Sequence, residues 1–397
     1  MQLAERLNRL GTETAFAVSA AAADWAAKGH RVYPFHLGDI NLPTPPSIVE
    51  GINKAIRDGY TGYCPGAGIP ELRAVLADDV GRKRGVHYSA ANVSVQPGGK
   101  PVIGKFLAAV MNPGDEVLYP NPGYPIYESQ IEFFGGVAVP YGYIETPSGF
   151  DLDMDAIRRA ITPRTRVLVY NNYQNPTGAQ SSRREVEELA ELALRHDLWV
   201  LSDDAYFEMR YSGEPLNIVS LPGMQERTVI LYTCSKRFAM TGWRCGAAIG
   251  PQPVIDVINK LNTNAESCTT HFIQRAMVEV IPHDEEGPAT ILAELRRRRD
   301  AAVEGLNAIE DISIQAPEST FYLFPNVTKI MERKGLDDVN QLMREALVHT
   351  DVSFCTREHF GRPQPGETQK YIRLAYSGID VPSIQAGLGR LKQYFED

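Results

Sequence analysis

Residues 232–246 read YTCSKRFAMTGWRCG and follow a short apolar run of the chain. This order places Lys236 where a buried strand opens into a loop, and a lysine there is costly unless its charge is used or paired. The hydroxyls of Thr233 and Ser235 and the guanidinium of Arg244 are close by in sequence and suit a phosphate group. An amine that forms Schiff bases, beside an anion-binding cluster, is the combination that a pyridoxal phosphate enzyme requires. Alternatively, Lys236 is an ordinary surface lysine, and this window alone leaves both interpretations open.

The composition indicates a globular protein whose partners are not nucleic acids. The 397 residues exceed the usual size of a single core, which predicts one large and one smaller domain. A formal net charge of -9 argues against nucleic acid and anionic membranes as main partners, although it allows a local basic pocket.

Cysteine spacing and the N-terminal pattern predict a cytoplasmic location. The five cysteines are scattered and the histidines show no ligand spacing, so we expect reduced thiols in the cytoplasm and no metal site. Residues 1–9 form an amphipathic pattern, and no run of about 18 apolar residues occurs. We therefore expect neither an export signal nor a membrane span.

Short β-rich runs alternate with helical patterns, which favours an α/β fold with a mostly parallel, doubly wound sheet. The predicted strands are 92–95, 116–119, 137–140, 167–170, 199–202 and 228–231. The predicted helices of this part are 71–85, 101–111, a segment near 124–134, 183–196, 251–262 and 270–280. Residues 3–28 also have helical spacing, and residues 33–46 are rich in proline and glycine and predict an extended loop.

The C-terminal third predicts a smaller α+β domain. Its expected elements are a long helix 289–309, a helix around 341–349, a strand 371–375 and a helix 382–395. The four arginines 296–299 of the long helix predict a solvated face. We expect the N-terminal segment to pack with this part. The predicted division is then a large domain, 47–288, and a small domain, 1–46 plus 289–397.

Further motifs follow predicted strands, where open α/β sheets bind ligands. QPGGK at 96–100 precedes a helix, and its glycines let backbone N–H groups approach a phosphate. A second loop presents the ring of Tyr124, and NNYQNPTG occupies 171–178. Asp203 follows a buried strand with Tyr206 three residues later, and a buried acid there needs a positive partner such as a pyridinium nitrogen. Each motif taken singly is also compatible with a turn or with packing.

Together the motifs resemble fold-type I pyridoxal phosphate enzymes of the class I/II aminotransferase group, the aspartate aminotransferase-like family. The resemblance extends from Gly38 to Arg373. The matching stretches are GDINLPTP at 38–45, YCPGAGIPELR at 63–73, NPTG at 175–178, SK and GWR within 235–244, and YIRL at 371–374. NPTG and the SK…GWR stretch are the most specific. The resemblance implies the pyridoxal phosphate transferase fold of type I with a smaller α+β domain.

The resemblance implies roles around the cofactor ring. Lys236 would hold the cofactor as an internal aldimine and then act as the general base that moves the proton from Cα to C4′. Asp203 would pair with the pyridine nitrogen and keep it protonated, because a nearby opposite charge raises the pKa of that nitrogen. Tyr206 and Asn175 would hydrogen-bond the 3′ oxygen, and Tyr124 would stack on the ring.

It also implies a phosphate site and a substrate site. The expected phosphate ligands are Gly99 and Lys100 through backbone N–H groups, and Thr233, Ser235 and Arg244 through side chains. Tyr63 would reach the phosphate of a neighbouring subunit, which implies a homodimer with shared active sites. Arg373 would clamp the substrate α-carboxylate, helped by the N–H of Gly38 and by Asn175.

The implied function is transfer of an amino group from an L-amino acid to a 2-oxo acid, with 2-oxoglutarate as the expected acceptor. The same residues also support a lyase or cyclase that acts by elimination, and a non-catalytic pyridoxal phosphate sensor is a third candidate.

The donor stays open. If the loop of Glu266 lined the pocket, its carboxylate would favour a basic side chain; otherwise it is a solvated loop acid. The aromatic residues Tyr33, Phe35, Tyr63 and Tyr124 equally allow an aromatic or apolar donor.

Overall fold

The computed structural model describes residues 3–397; residues 1 and 2, the start of the predicted small domain, lie outside the described part. Its α-helices, numbered in chain order, are α1 (Ala15–Ala27), α2 (Pro46–Arg57), α3 (Pro70–Arg84), α4 (Lys100–Val110), α5 (Ile126–Phe133), α6 (Met154–Ala160), α7 (Arg183–Arg195), α8 (Cys234–Arg237), α9 (Gln252–Ala265), α10 (His271–His283), α11 (Glu286–Asn307), α12 (Thr328–Lys334), α13 (Val339–Thr350) and α14 (Val381–Glu396).

The strands are β1 (Tyr33–Pro34), β2 (Val93–Gln96), β3 (Glu116–Pro120), β4 (Val137–Tyr141), β5 (Tyr143–Thr146), β6 (Gly149–Leu152), β7 (Thr165–Tyr170), β8 (Trp199–Asp203), β9 (Thr228–Thr233), β10 (Gly246–Ile249), β11 (Tyr322–Leu323), β12 (Val352–Ser353), β13 (Cys355–Thr356) and β14 (Ile372–Ala375). Short 3-10 turns occur at Glu5–Arg9, Ala90–Asn92, Ile218–Ser220, Thr241–Trp243 and Arg357–Phe360.

A seven-stranded sheet in the order β2-β10-β9-β8-β7-β3-β4 forms the centre of the fold. Strand β10 is antiparallel to both β2 and β9, and the other neighbours are parallel. The inner strands are buried on both faces, which explains their nearly continuous apolar sequences. The predicted α/β class with a mostly parallel sheet is confirmed.

Strand β10 was not predicted, because Gly-Ala-Ala-Ile lacks the bulky β-branched pattern that marks a strand. Its first residue explains the small side chains. A Cβ on Gly246 would lie 2.7 Å from the carbonyl carbon of Gly98 and 2.7 Å from the carbonyl oxygen of Tyr232. Only glycine therefore allows this strand to enter between β2 and β9.

The predicted helix over residues 3–28 is wrong in its first half. A short 3-10 turn, Glu5–Arg9, comes first, and α1 begins only at Ala15. Glycine and threonine in between have low helix propensity. Tertiary contacts replace the helical bonds there, since the carbonyl of Gly11 accepts a hydrogen bond from Ser129 Oγ at 3.2 Å.

The predicted solvated face of residues 296–299 is wrong for two of the four arginines, since Arg298 is buried and the side chain of Arg299 is only 15% exposed. The side chain of Arg297 is 72% exposed, as expected, whereas that of Arg298 is only 4% exposed. Arg298 donates to Asn41 Oδ1 and to the Ser377 carbonyl, both at 2.7 Å. A helix that packs against protein on one side places part of every turn against that protein, whatever the charge of the residues there.

A second core joins the start of the chain to its C-terminal part. Strand β1 pairs in parallel with β12, with Tyr33 opposite Val352. A three-stranded sheet, β11-β14-β13, lies within the same part of the molecule. Tyr206 and Phe207 also contribute to this core. The domain limits 47–288 and 1–46 plus 289–397 remain a prediction.

The topology concentrates functional groups at one edge of the large sheet. The carboxyl ends of the parallel strands β7, β8 and β9 meet there, as is usual for ligand sites of open α/β sheets. Within residues 3–397, no helix is both long enough and apolar enough to cross a membrane.

Candidate active site

A cavity of about 540 Å³ lies at this edge of the sheet. It is lined by residues from the large sheet, from the small sheet and from the N-terminal segment. Twelve of the predicted site residues line it, namely Gly38, Gly99, Lys100, Tyr124, Asn175, Asp203, Tyr206, Thr233, Ser235, Lys236, Arg244 and Arg373. Of the predicted residues, Tyr63 is outside.

Lys236 lies in the single-turn helix α8, directly after β9, where a simple loop was expected. Thr233 caps this turn by accepting the Ser235 N–H at 3.2 Å. The Lys236 Nζ donates to the carbonyl of Gly38 at 2.6 Å. The pKa of Lys236 is lowered to about 8, mainly by burial and also by Arg373, against the opposing effect of Asp39. A buried amine with such a pKa is partly unprotonated near neutral pH and therefore nucleophilic.

Asp203 ends β8 and is buried in the floor of the cavity. Its carboxylate accepts hydrogen bonds from Tyr127 OH at 2.5 Å and from the Ala205 N–H at 3.1 Å. Burial raises the pKa of Asp203 to about 6, although both hydrogen bonds act in the opposite direction. A cation placed beside this carboxylate would stabilise its ionised form. Sequence reasoning missed Tyr127, three positions after Tyr124.

The N-terminus of α4 and the turn after β9 together present groups that suit an anion. Gly99 is the N-cap of α4, so the first N–H groups of this helix have no helical acceptor, and Gly99 and Lys100 line the cavity. A Cβ on Gly99 would lie 2.6 Å from Leu231 Cδ2, so a side chain at this position would not fit. The hydroxyls of Thr233 and Ser235 are 2.9 Å apart, and the Arg244 guanidinium lines the same end.

Arg373 on β14 forms the opposite end of the cavity. It donates to the carbonyl of His36 at 2.5 Å and to Asn175 Oδ1 at 3.1 Å. Its guanidinium carbon lies 4.6 Å from the ring centroids of both Tyr322 and Phe360. The arginine is buried, yet its Nε has no hydrogen-bond partner. A planar cation with an unused donor is suited to a carboxylate ligand.

Tyrosine hydroxyls line the inner wall. Tyr206 OH lies 2.7 Å from Tyr322 OH, and burial raises the pKa of Tyr206 well above its usual range. The loop of Gly38 passes so close to Tyr322 that a Cβ on Gly38 would lie 2.1 Å from that hydroxyl. Tyr322 was not predicted, because no motif surrounds it.

Four residues considered from the sequence do not line the cavity, namely Tyr63, Glu266, Tyr33 and Phe35. The side chain of Tyr63 is 89% exposed, and its role at a neighbouring subunit remains a prediction. Glu266 does not line the cavity of the single chain, because its carboxylate pairs with Lys105 at 2.6 Å. The condition under which it would favour a basic donor is therefore not met within this chain. Glu266 is exposed, in agreement with the alternative of a solvated loop acid, although its carboxylate is also paired. Of the four aromatic residues that allowed an aromatic or apolar donor, Tyr33 and Phe35 are buried in the second core, and Tyr124 lines the cavity.

Residues that no motif marked complete the lining. Glu13, in the segment before α1, accepts hydrogen bonds from Lys100 Nζ at 2.5 Å and from Tyr124 OH. His36 also lines the cavity, and burial lowers its pKa to about 4, so its ring is neutral. Phe16, His359 and Phe360 are further lining residues. Their distance in sequence from the motifs left no signal that could have assigned them.

Comparison with known proteins decides the family. Residues 32–382 match the sequence model of the family described as aminotransferase class I and II. The chain belongs to this family. As members of this family use pyridoxal phosphate, the chain is an aminotransferase of a pyridoxal phosphate-dependent class.

Relatives are similar over the whole length. A probable aspartate/prephenate aminotransferase of Aquifex aeolicus is 32% identical and aligns with 100% of this chain and 99% of its own. An aspartate aminotransferase structure from Thermus thermophilus with maleate is 29% identical, with a TM-score of 0.88 and 99% of both chains covered. An alanine aminotransferase structure from Pyrococcus furiosus is 26% identical, with a TM-score of 0.90 and 100% of both chains covered.

The cavity of this aminotransferase fits the family cofactor. The helix N-terminus, two hydroxyls and guanidinium suit a phosphate, and the buried amine of Lys236 suits an aldehyde. The buried carboxylate of Asp203 suits a ring nitrogen that carries a proton.

Proposed function

We propose that this aminotransferase carries pyridoxal 5′-phosphate on Lys236 and transfers the amino group of an L-amino acid to 2-oxoglutarate. The observation that carries the proposal is the joint placement of three groups in one cavity. They are the amine of Lys236, the buried carboxylate of Asp203 and the guanidinium of Arg373. Pyridoxal phosphate supplies an aldehyde and a cationic ring that accepts the electrons of the substrate Cα–H bond.

Asp203 holds the cationic ring. Its carboxylate is fixed by Tyr127 and by the Ala205 N–H, so it does not need to reorganise when a positive charge is bound. The buried Asp203 carboxylate would therefore favour the protonated form of a ring nitrogen bound beside it.

Lys236 moves the proton. Its pKa of about 8 makes the amine a competent base near neutral pH, and the Gly38 carbonyl orients Nζ in the resting protein. With the cofactor bound, Lys236 Nζ would be the base that takes the proton from the substrate Cα.

Arg373 binds the α-carboxylate. Its unpartnered Nε and the stacked rings of Tyr322 and Phe360 leave a rigid, desolvated cation whose fork matches a carboxylate. Asn175, bonded to the same guanidinium, orients it.

The proposed acceptor is acidic. It is supported by the relatives named for aspartate and prephenate, and by the Thermus structure with maleate, a dicarboxylate.

The proposal includes a homodimer with shared sites. It is supported by Tyr63, whose ring is exposed although a hydrogen bond fixes its loop: Asn262 Nδ2 donates to the Gly66 carbonyl at 3.0 Å. Tyr63→Phe should then weaken cofactor binding, and unchanged binding would refute the shared site.

The test is an absorbance scan of the cofactor-loaded protein with single amino acids, repeated after addition of 2-oxoglutarate. The expected donor bleaches the visible absorbance, and 2-oxoglutarate restores it. Bleaching that 2-oxoglutarate does not reverse, together with release of ammonia, would contradict transamination and favour elimination. A protein that takes up no cofactor would refute the proposed site.

A further inference from the structure

The cavity holds four cationic side chains, and the proposed function uses three of them. Lys236 is committed to the cofactor, Arg244 to its phosphate and Arg373 to the substrate α-carboxylate. The ammonium group of Lys100 is the remaining cation among the lining residues, since the proposed phosphate contact uses only its backbone N–H. A second carboxylate, such as that of 2-oxoglutarate, therefore has Lys100 as its counter-ion within this chain.

Lys100 already has a counter-ion in the resting protein. Its Nζ lies 2.5 Å from Glu13 Oε1, and Tyr124 OH donates to the same oxygen. The side chain of Lys100 is 47% exposed and that of Glu13 is 18% exposed. Ion pairs with such access to water contribute little net free energy, so exchange of one carboxylate for another is inexpensive.

Glu13 lies in a stretch that can release it. Residues 10–14 form neither helix nor strand, between the 3-10 turn and α1. Within the described part of the chain, their other side-chain link to the large sheet's helices is the 3.2 Å hydrogen bond from Ser129 Oγ to the Gly11 carbonyl. Withdrawal of Glu13 thus breaks few contacts.

We propose that Glu13 is a displaceable counter-ion of Lys100 and determines which side chains the pocket accepts. This inference rests on the proposed function. When the substrate side chain is uncharged, Glu13 stays on Lys100, and the ring of Phe16 in the same cavity is available to contact an apolar or aromatic group. When the substrate is a dicarboxylate, its second carboxylate takes Lys100 and Glu13 withdraws.

The exchange lets one pocket serve both half-reactions. A neutral donor meets no unpaired lysine charge, and an acidic acceptor still finds a cation. Glu13 also makes acidic ligands compete for that cation, so it biases the donor side towards uncharged amino acids.

The test compares two unreactive ligands of equal chain length, succinate and butyrate, by calorimetric titration of the cofactor-loaded protein. Glu13→Gln should lower the dissociation constant of succinate by about two- to fivefold, the range expected for an exposed ion pair. The dissociation constant of butyrate should not change. The matched control is Glu5→Gln, which removes an equal charge from the exposed 3-10 turn outside the cavity. In a Lys100→Met background, Glu13→Gln should no longer tighten succinate.

An equal change for succinate and butyrate would overturn the proposal, as would a Glu13→Gln effect that survives in the Lys100→Met background. Failure of wild type and Glu13→Gln to bind succinate would overturn it too. None of these readouts requires turnover. A protein that shows the predicted exchange but does not transaminate would refute the proposed function alone.

Discussion

Arg84 and Asp204 form an ion pair in which both side chains are buried. Arg84 Nη2 lies 2.7 Å from Asp204 Oδ2, and each side chain is 1% exposed. Asn217 and Ser202 satisfy the remaining acceptor positions of the carboxylate. The pair lies directly beside Asp203, so the negative charge next to the proposed ring ligand is compensated within the protein.

Replacement of Arg84 should therefore strongly lower the free energy of unfolding. Arg84→Met leaves a buried carboxylate without its cation, which costs about 3–5 kcal/mol of unfolding free energy. Urea denaturation of the cofactor-free protein measures the loss. Arg82→Met on the same helix, whose side chain is 62% exposed, serves as control and should stay within about 0.5 kcal/mol of wild type. Equal midpoints for the two variants would contradict the structural role of the pair.

Lys236→Ala should abolish turnover and the visible absorbance of the bound cofactor. The reason is that the buried amine proposed to bind the cofactor is lost, while the proposed phosphate ligands stay in place. Lys260→Ala, at an exposed lysine of α9, is the control and should behave as wild type. A Lys236→Ala protein with wild-type turnover would exclude the proposed role.

The ionised carboxylate of Asp203 should destabilise the cofactor-free protein near neutral pH. Burial raises its pKa from 3.8 to about 6, so the unfolded chain loses this proton at lower pH than the folded protein does. The folded state consequently loses about 3 kcal/mol as the pH rises through this interval. Asp203→Asn should remove the loss.

The cofactor-free Asp203→Asn protein is thus expected to be more stable than wild type at about pH 7, with little difference at about pH 4. Urea unfolding at both pH values measures this, and cofactor binding should weaken in the same variant. Asp155→Asn, at a side chain that is 70% exposed, is the control. A variant that is less stable than wild type at neutral pH, or binds the cofactor equally well, would contradict the assignment.

Arg373→Lys should raise KM for donor and acceptor alike by about tenfold or more. Lysine keeps the charge but loses the planar fork and its stacking between Tyr322 and Phe360. Steady-state kinetics with both substrates measure the effect. Arg362→Lys changes an arginine that is 66% exposed and should leave both KM values unchanged. An effect on only one substrate would argue against a common α-carboxylate site.

Sequence patterns located the groups that follow strands, for a simple physical reason. Parallel strands end at one edge, so Asn175, Asp203 and Lys236, which follow successive strands, had to converge there. The same reasoning could not find Glu13 or Tyr127, because their positions depend on how the N-terminal segment and α5 pack on that edge. Arg298 was misjudged for a related cause, since a run of like residues does not reveal which of them faces inward.

Transfer of nitrogen itself tests the central claim most directly. A donor identified by the absorbance scan, isotopically labelled at its α-amino nitrogen, is incubated with 2-oxoglutarate and with wild-type or Lys236→Ala protein. The account predicts that the label appears in the amino group of glutamate, one for each donor consumed, with wild type and not with the variant. Label released as ammonium, with none in glutamate, would contradict it.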